Sequence, residues 1–141
     1  MMKQNLHIIT LGVFDMKKTR AFYEDGLGWK ASKASQGDIV FFDLNGMALA
    51  FYPWGKLAED AKLPEDRAGF RGLTLAYNTK TEKEVDQILA KARQLGAKII
   101  KSAEKTFWGG YSGYFEDPNG HLFEVAHNPF ATFDERGNII L

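Results

Sequence analysis

At 141 residues, 45% hydrophobic and 26% charged, the chain has the size and balance of one ordinary folded domain or of two small modules sharing a core. Eighteen basic side chains cancel eighteen acidic ones, which argues against a nucleic-acid or anionic-membrane partner and against a strongly cationic ligand. The absence of cysteine excludes disulfides, thiolate metal sites and cysteine nucleophiles. No apolar run is long enough to span a bilayer, and the N-terminus lacks a signal peptide's apolar core, so the expected location is the cytoplasm.

Leu6 to Val13 reads as a first strand, apolar almost throughout, which predicts burial on both faces. Asp15 can cap a helix whose apolar positions are Met16, Ala21, Phe22 and Tyr23, with Gly26 and Gly28 stopping it. Trp29 to Ser35 predicts a second strand and Asp38 to Leu44 a third. Asn45-Gly46 is a two-residue hairpin signal, and Met47 to Tyr52 is a fourth strand. Pro53 to Gly69, with two prolines and alternating charges, reads as a linker with a short helix around Leu57 to Ala61, able to fold over a pocket.

A second round follows. Phe70 to Tyr77 is strand-like, Thr81-Glu82-Lys83-Glu84 is a capping box, and Val85, Ile88, Leu89 and Ala92 recur at helical spacing until Gly96. Ala97 to Lys101 starts another strand. Tyr114 and Phe115, the turn Asp117-Pro118-Asn119-Gly120, and Leu122 to Val125 then form a hairpin. The chain therefore repeats strand, helix and three strands, and such a repeat sets the architecture: α+β, two βαβββ modules around a cup-shaped mixed sheet of eight strands. Module 1 covers about 5–53, the linker 54–69, module 2 about 70–129, and a C-terminal arm 130–141 turns at Arg136-Gly137-Asn138.

Glu124 is a carboxylate inside an apolar run. Because side chains alternate across a strand, it faces away from Phe123 and Val125. It is the candidate general base, ligand anchor or structural group, and an apolar cup would suit it to proton abstraction beside a carbonyl. Tyr114 and Ser112 share a parity that a tight hairpin brings to the face of Glu124. Trp108, with Gly109 and Gly110 behind it, offers an aromatic wall that Phe51 and Tyr77 would face from other strands, suiting a flat apolar compound. Thr10 is the lone hydroxyl of the first strand. No nucleophile triad and no phosphate-binding glycine loop is present, and His7, His121 and His127 sit on separate elements with opposed parities.

The repeated halves, the opening Ile9-Thr10-Leu11-Gly12-Val13-Phe14-Asp15 followed by Ala21-Phe22-Tyr23-Glu24 and Leu27-Gly28-Trp29, and the close Phe115 to Glu124 resemble the vicinal oxygen chelate superfamily, which includes glyoxalase I, fosfomycin-resistance transferases, extradiol dioxygenases and bleomycin-binding proteins. The resemblance implies a divalent metal held in the cup by His and Glu from the first and last strands of each half. In this chain the matching positions are Ile8, Leu49 (Ala50 if the register slips), Leu73 and Glu124, so one carboxylate stands where a catalytic metal wants three or more protein ligands. The expectation is a metal-free, cofactor-free member, a homodimer by resemblance, binding an apolar or aromatic small molecule near Glu124. A lyase or isomerase using Glu124 as base and Tyr114 as oxyanion donor is the alternative, and a metal-dependent enzyme the third.

Overall fold

The computed structural model describes residues 1–4, 6–66 and 69–140. The expected module start at residue 5, linker positions 67 and 68, and the arm's last residue, 141, lie outside the described residues. The chain divides into two compact units, Met1–Gly69 and Phe70–Leu141.

In the first unit, β1 (Ile8–Val13) leads into α1 (Met16–Arg20), which loosens into a π-helical stretch over Ala21–Gly26. Asp15 caps α1 by accepting from the Lys18 backbone N–H at 3.0 Å. After β2 (Val40–Asp43), the Asn45-Gly46 turn, with φ of 59° and 108°, delivers β3 (Ala48–Pro53) antiparallel to it. The sheet order is β1-β3-β2, with β1 parallel to β3. Tyr23 from the π-helical stretch packs on Phe51 and Phe42, with ring centroids 4.7 and 6.1 Å away, and this aromatic group is the unit's core.

Three expectations for this unit are revised. Trp29 to Ser35 forms no strand: the Ser35 hydroxyl accepts from the Phe41 backbone N–H at 2.9 Å and the Ser32 hydroxyl takes the Ala34 N–H, so serine side chains capture donors that a ladder would need. β1 is buried on both faces only over its second half, Leu11 to Val13; in its first half Ile8 is 52% exposed and Thr10 is exposed. The helix expected inside the linker is α2 (Trp54–Asp60), and it packs on β1 and β3. Its Trp54 stacks on Phe14 at 4.8 Å and fills the space beside Gly12, where an added Cβ would meet the ring at 2.8 Å.

The second unit keeps the full βαβββ pattern: β4 (Leu75–Thr79), α3 (Glu82–Gln94), β5 (Lys98–Lys105), β6 (Tyr111–Glu116) and β7 (Leu122–His127), in sheet order β4-β7-β6-β5 with β4 parallel to β7. β4 starts five residues later than the pattern suggested, with Phe70 exposed. The capping box at Thr81 and Glu84 is complete, and Val85, Leu89 and Ala92 of α3 are buried against the sheet. Asp117 holds the β6–β7 turn by accepting the Asn119 and His121 backbone N–H groups, each at 2.9 Å. A short hairpin of β8 (Thr132–Phe133) and β9 (Ile139–Ile140) forms the arm.

Candidate active site

Which side chains share a face of the second sheet follows from where α3 lies. A Cβ added at Gly113 would strike Leu89 of α3 at 2.6 Å, so position 113 looks at the helix. By alternation Tyr111 and Phe115 share that face, and by register so do Phe123, Val125 and His127. Phe115 and Phe123 stack there with centroids 5.1 Å apart. The opposite, helix-free face therefore carries Ser112, Tyr114, Glu124 and Ala126. Continuing the register across the sheet gives one row, Ala76–Glu124–Tyr114–Lys101.

That row places a carboxylate, a phenol and an ammonium on successive strands, whose direct cross-strand partners lie within side-chain reach of one another. Lys101 also pairs with Glu104 at 3.0 Å. Burial pushes the Tyr114 phenol above its ordinary value, the charge of Glu124 and the hydrogen bond that Tyr114 donates to it add to the rise, and Lys101 opposes it. Tyr114 thus stays protonated, facing Glu124, across the neutral range. Because the folded value lies above the unfolded one, the stabilisation is present below the unfolded phenol's pKa of about 10 and is lost as pH climbs through the folded value. Asp86 holds Tyr111 raised in the same way, by accepting its hydroxyl at 2.8 Å. Glu124→Gln should therefore move the Tyr114 phenol titration, followed residue by residue through its ring ¹³Cζ shift, to lower pH. An unmoved transition would show that Tyr114 and Glu124 do not interact.

Of the remaining expected site residues, Ser112 is buried on the same face as Tyr114. Trp108 lies across Gly110, occupying the space a side chain there would take. Position 110 shares the parity of Ser112 and Tyr114, so the indole borders the helix-free face. Tyr77 does not join them: it pairs with Val125, which puts it on the helix face, one step along β4 from the partner of Glu124. Phe51 is 1% exposed and belongs to the core of the first unit, packed on Tyr23. Thr10 pairs with Ala50 and is exposed, on the face opposite Leu11 and Phe51. Lys101 was missed from sequence because β5 is irregular on both sides of it, between Ile99 and Lys101 and between Lys101 and Glu104, so simple alternation does not reach it.

The registers also correct the positions compared with metal-binding kin. Thr10 beside Ala50 in the first unit corresponds to Ala76 beside Glu124 in the second. The counterpart of Glu124 is therefore Ala50, not Leu49, whose side chain is buried on the other face, and the counterpart of Ile8, two residues before Ala76 and just ahead of β4, is Thr74, not Leu73. In the first unit these positions offer only the hydrocarbons of Ile8 and Ala50, in the second one hydroxyl and one carboxylate, and neither pair fits a resident divalent ion. Among the described residues no three His, Asp or Glu side chains are placed to hold one. Two of the three histidines have other partners: His121 Nδ1 accepts from Arg71 at 2.9 Å, and His127 Nδ1 donates to the Thr79 carbonyl at 3.2 Å.

Residues 5–125 match the family described as the Glyoxalase/Bleomycin resistance protein/Dioxygenase superfamily. Among curated proteins, the chain is 29% identical over 121 residues to the metallothiol transferase FosB of Lysinibacillus sphaericus (strain C3-41), covering 86% of this chain and 80% of that one. It is 27% identical over 125 residues to the metallothiol transferase FosB of Staphylococcus saprophyticus, covering 88% and 77%. Among solved structures, a glyoxalase-related enzyme from Fulvimarina pelagi superposes with a TM-score of 0.89 at 30% identity over 99% of both chains. Fold, βαβββ pattern and sequence match agree: the chain belongs to the glyoxalase/bleomycin resistance protein/dioxygenase superfamily.

Proposed function

We propose that this chain is a metal-free member of its superfamily that binds a small molecule with an apolar or aromatic body on the helix-free face of the second unit. The ligand's polar end meets Glu124 and Tyr114, its flat part lies toward Trp108, and Ser112 adds a hydroxyl. The observation that carries this reading is the register that sets Tyr114 directly across from Glu124, with Lys101 next in the row. A homodimer in the cytoplasm completes the proposal and rests on the resemblance; light scattering after gel filtration tests the assembly.

A second reading has a specific observation behind it. Tyr114 stays protonated beside a carboxylate, an arrangement in which Glu124 takes a proton from carbon next to a carbonyl while the phenol donates to the developing oxyanion. That describes a lyase or isomerase. A metal-dependent reaction is the third reading, favoured by the name metallothiol transferase that the two bacterial relatives carry.

One set of measurements separates them. Protein purified without chelator is expected to contain no stoichiometric metal and to show no thermal stabilisation by Ni²⁺, Zn²⁺ or Mn²⁺; a large shift would overturn the metal-free reading, because binding to the native state raises stability by mass action. Glu124→Gln that keeps ligand affinity and loses turnover selects the base role, whereas loss of affinity selects the anchor.

A further inference from the structure

Tyr77, displaced from the face of Glu124, lines a different cavity. On the helix side of the second unit, a cleft of about 300 Å³ opens between the end of β4, the first turns of α3 and the C-terminal hairpin. Its apolar walls come from three separate elements: the Tyr77 ring from β4, Ile88 from α3 and the Phe133 ring from β8. Asn78, Lys80 and Gln87 supply polar groups, and among the described residues the side chains of these three and the Tyr77 hydroxyl bond to no protein partner. Glu84, the acid in the lining, is already occupied: its carboxylate accepts the Lys80 and Thr81 backbone N–H groups at 2.8 and 3.1 Å. The charge left to meet a ligand is therefore the Lys80 ammonium.

We propose that this cleft is a second small-molecule site, separate from the Glu124 face, and that it takes a planar aromatic carboxylate. Two aromatic rings and a branched aliphatic side chain favour a flat apolar body through ring packing, and the volume suits a molecule of one or two rings. The acid group lies at Lys80 Nζ, with the Gln87 amide as a second donor. Phe133 makes the site depend on the arm: the hairpin is held at its turn by Asp134, which accepts the Arg136 and Asn138 backbone N–H groups at 2.9 and 2.8 Å, and it contributes one wall.

The test uses the full chain and 2-naphthoate as probe, followed by amide chemical shifts and by the probe's fluorescence. Binding should move the amides of Asn78, Thr79, Gln87 and Ile88. Phe133→Ala should weaken it by about tenfold or more, and Lys80→Ala should weaken 2-naphthoate while leaving neutral 2-naphthol unchanged. Tyr114→Phe and Glu124→Gln should leave both affinities as they are. Shifts confined to the strands bearing Tyr114 and Glu124 would overturn the proposal, as would no binding at millimolar probe. A cleft closed by a second copy of the chain, seen as probe affinity that falls with rising protein concentration, would overturn it too. Failure of the cleft leaves the Glu124 reading standing, and shifts confined to those two strands would favour it, so the two readings fail separately.

Discussion

Phe51→Ala is expected to destabilise the protein by about 3–5 kcal/mol, read as a lowered urea midpoint with an unchanged slope. The ring is 1% exposed and touches Tyr23 at 4.7 Å and Phe42 at 5.9 Å between centroids, so truncation leaves a cavity lined by aromatic faces that a two-layer packing cannot easily refill. The same substitution should leave the affinity for any ligand of the Glu124 face unchanged at temperatures where the variant is folded. A loss well under 1 kcal/mol together with weakened ligand binding would return Phe51 to the site and contradict its place in the core.

Gly113→Ala should cost about 1–3 kcal/mol or more through overpacking, although it adds a single methyl group. Its Cβ would lie 2.6 Å from Leu89, 2.8 Å from the Lys101 carbonyl and 2.9 Å from the Ala103 nitrogen. Leu89 is a side chain and can rotate. The other two atoms are backbone of β5 and can move only if the strand moves. Displacing β5 also displaces Lys101 from Tyr114, so the alkaline transition of Tyr114 should shift upward as its opposing cation withdraws. A variant as stable as the parent, with an unaltered Tyr114 transition, would mean that β5 does not lie against β6 as described.

Local chemistry made much of the fold legible. Asp15 as a cap, Thr81 with Glu84 as a capping box, Asn45-Gly46 as a hairpin and the Asp117-to-Gly120 turn are short-range devices whose partners lie within a few residues, and all of them form. Alternation within one hairpin likewise suffices to bring Ser112, Tyr114 and Glu124 to a common face. Trp29 to Ser35 forms no strand because strand propensity competes with serine hydroxyls: that of Ser35 bonds across a loop to Phe41, six residues beyond, and that of Ser32 takes the Ala34 N–H.

By itself, then, the chain's order of residues determined the βαβββ pattern of the second unit, the family and the company kept by Glu124, since each depends on contacts near in sequence or on a period of two. Tertiary structure alone decided that Tyr77 and Phe51 belong to other surroundings, that Ala50 in the first unit corresponds to Glu124 in the second, and that Lys101 completes the row with Tyr114. Those outcomes depend on the register between strands far apart in the chain, and a shift of one residue reverses every face. The bulges in β5 set that register for Lys101, and no periodicity in the sequence carries it.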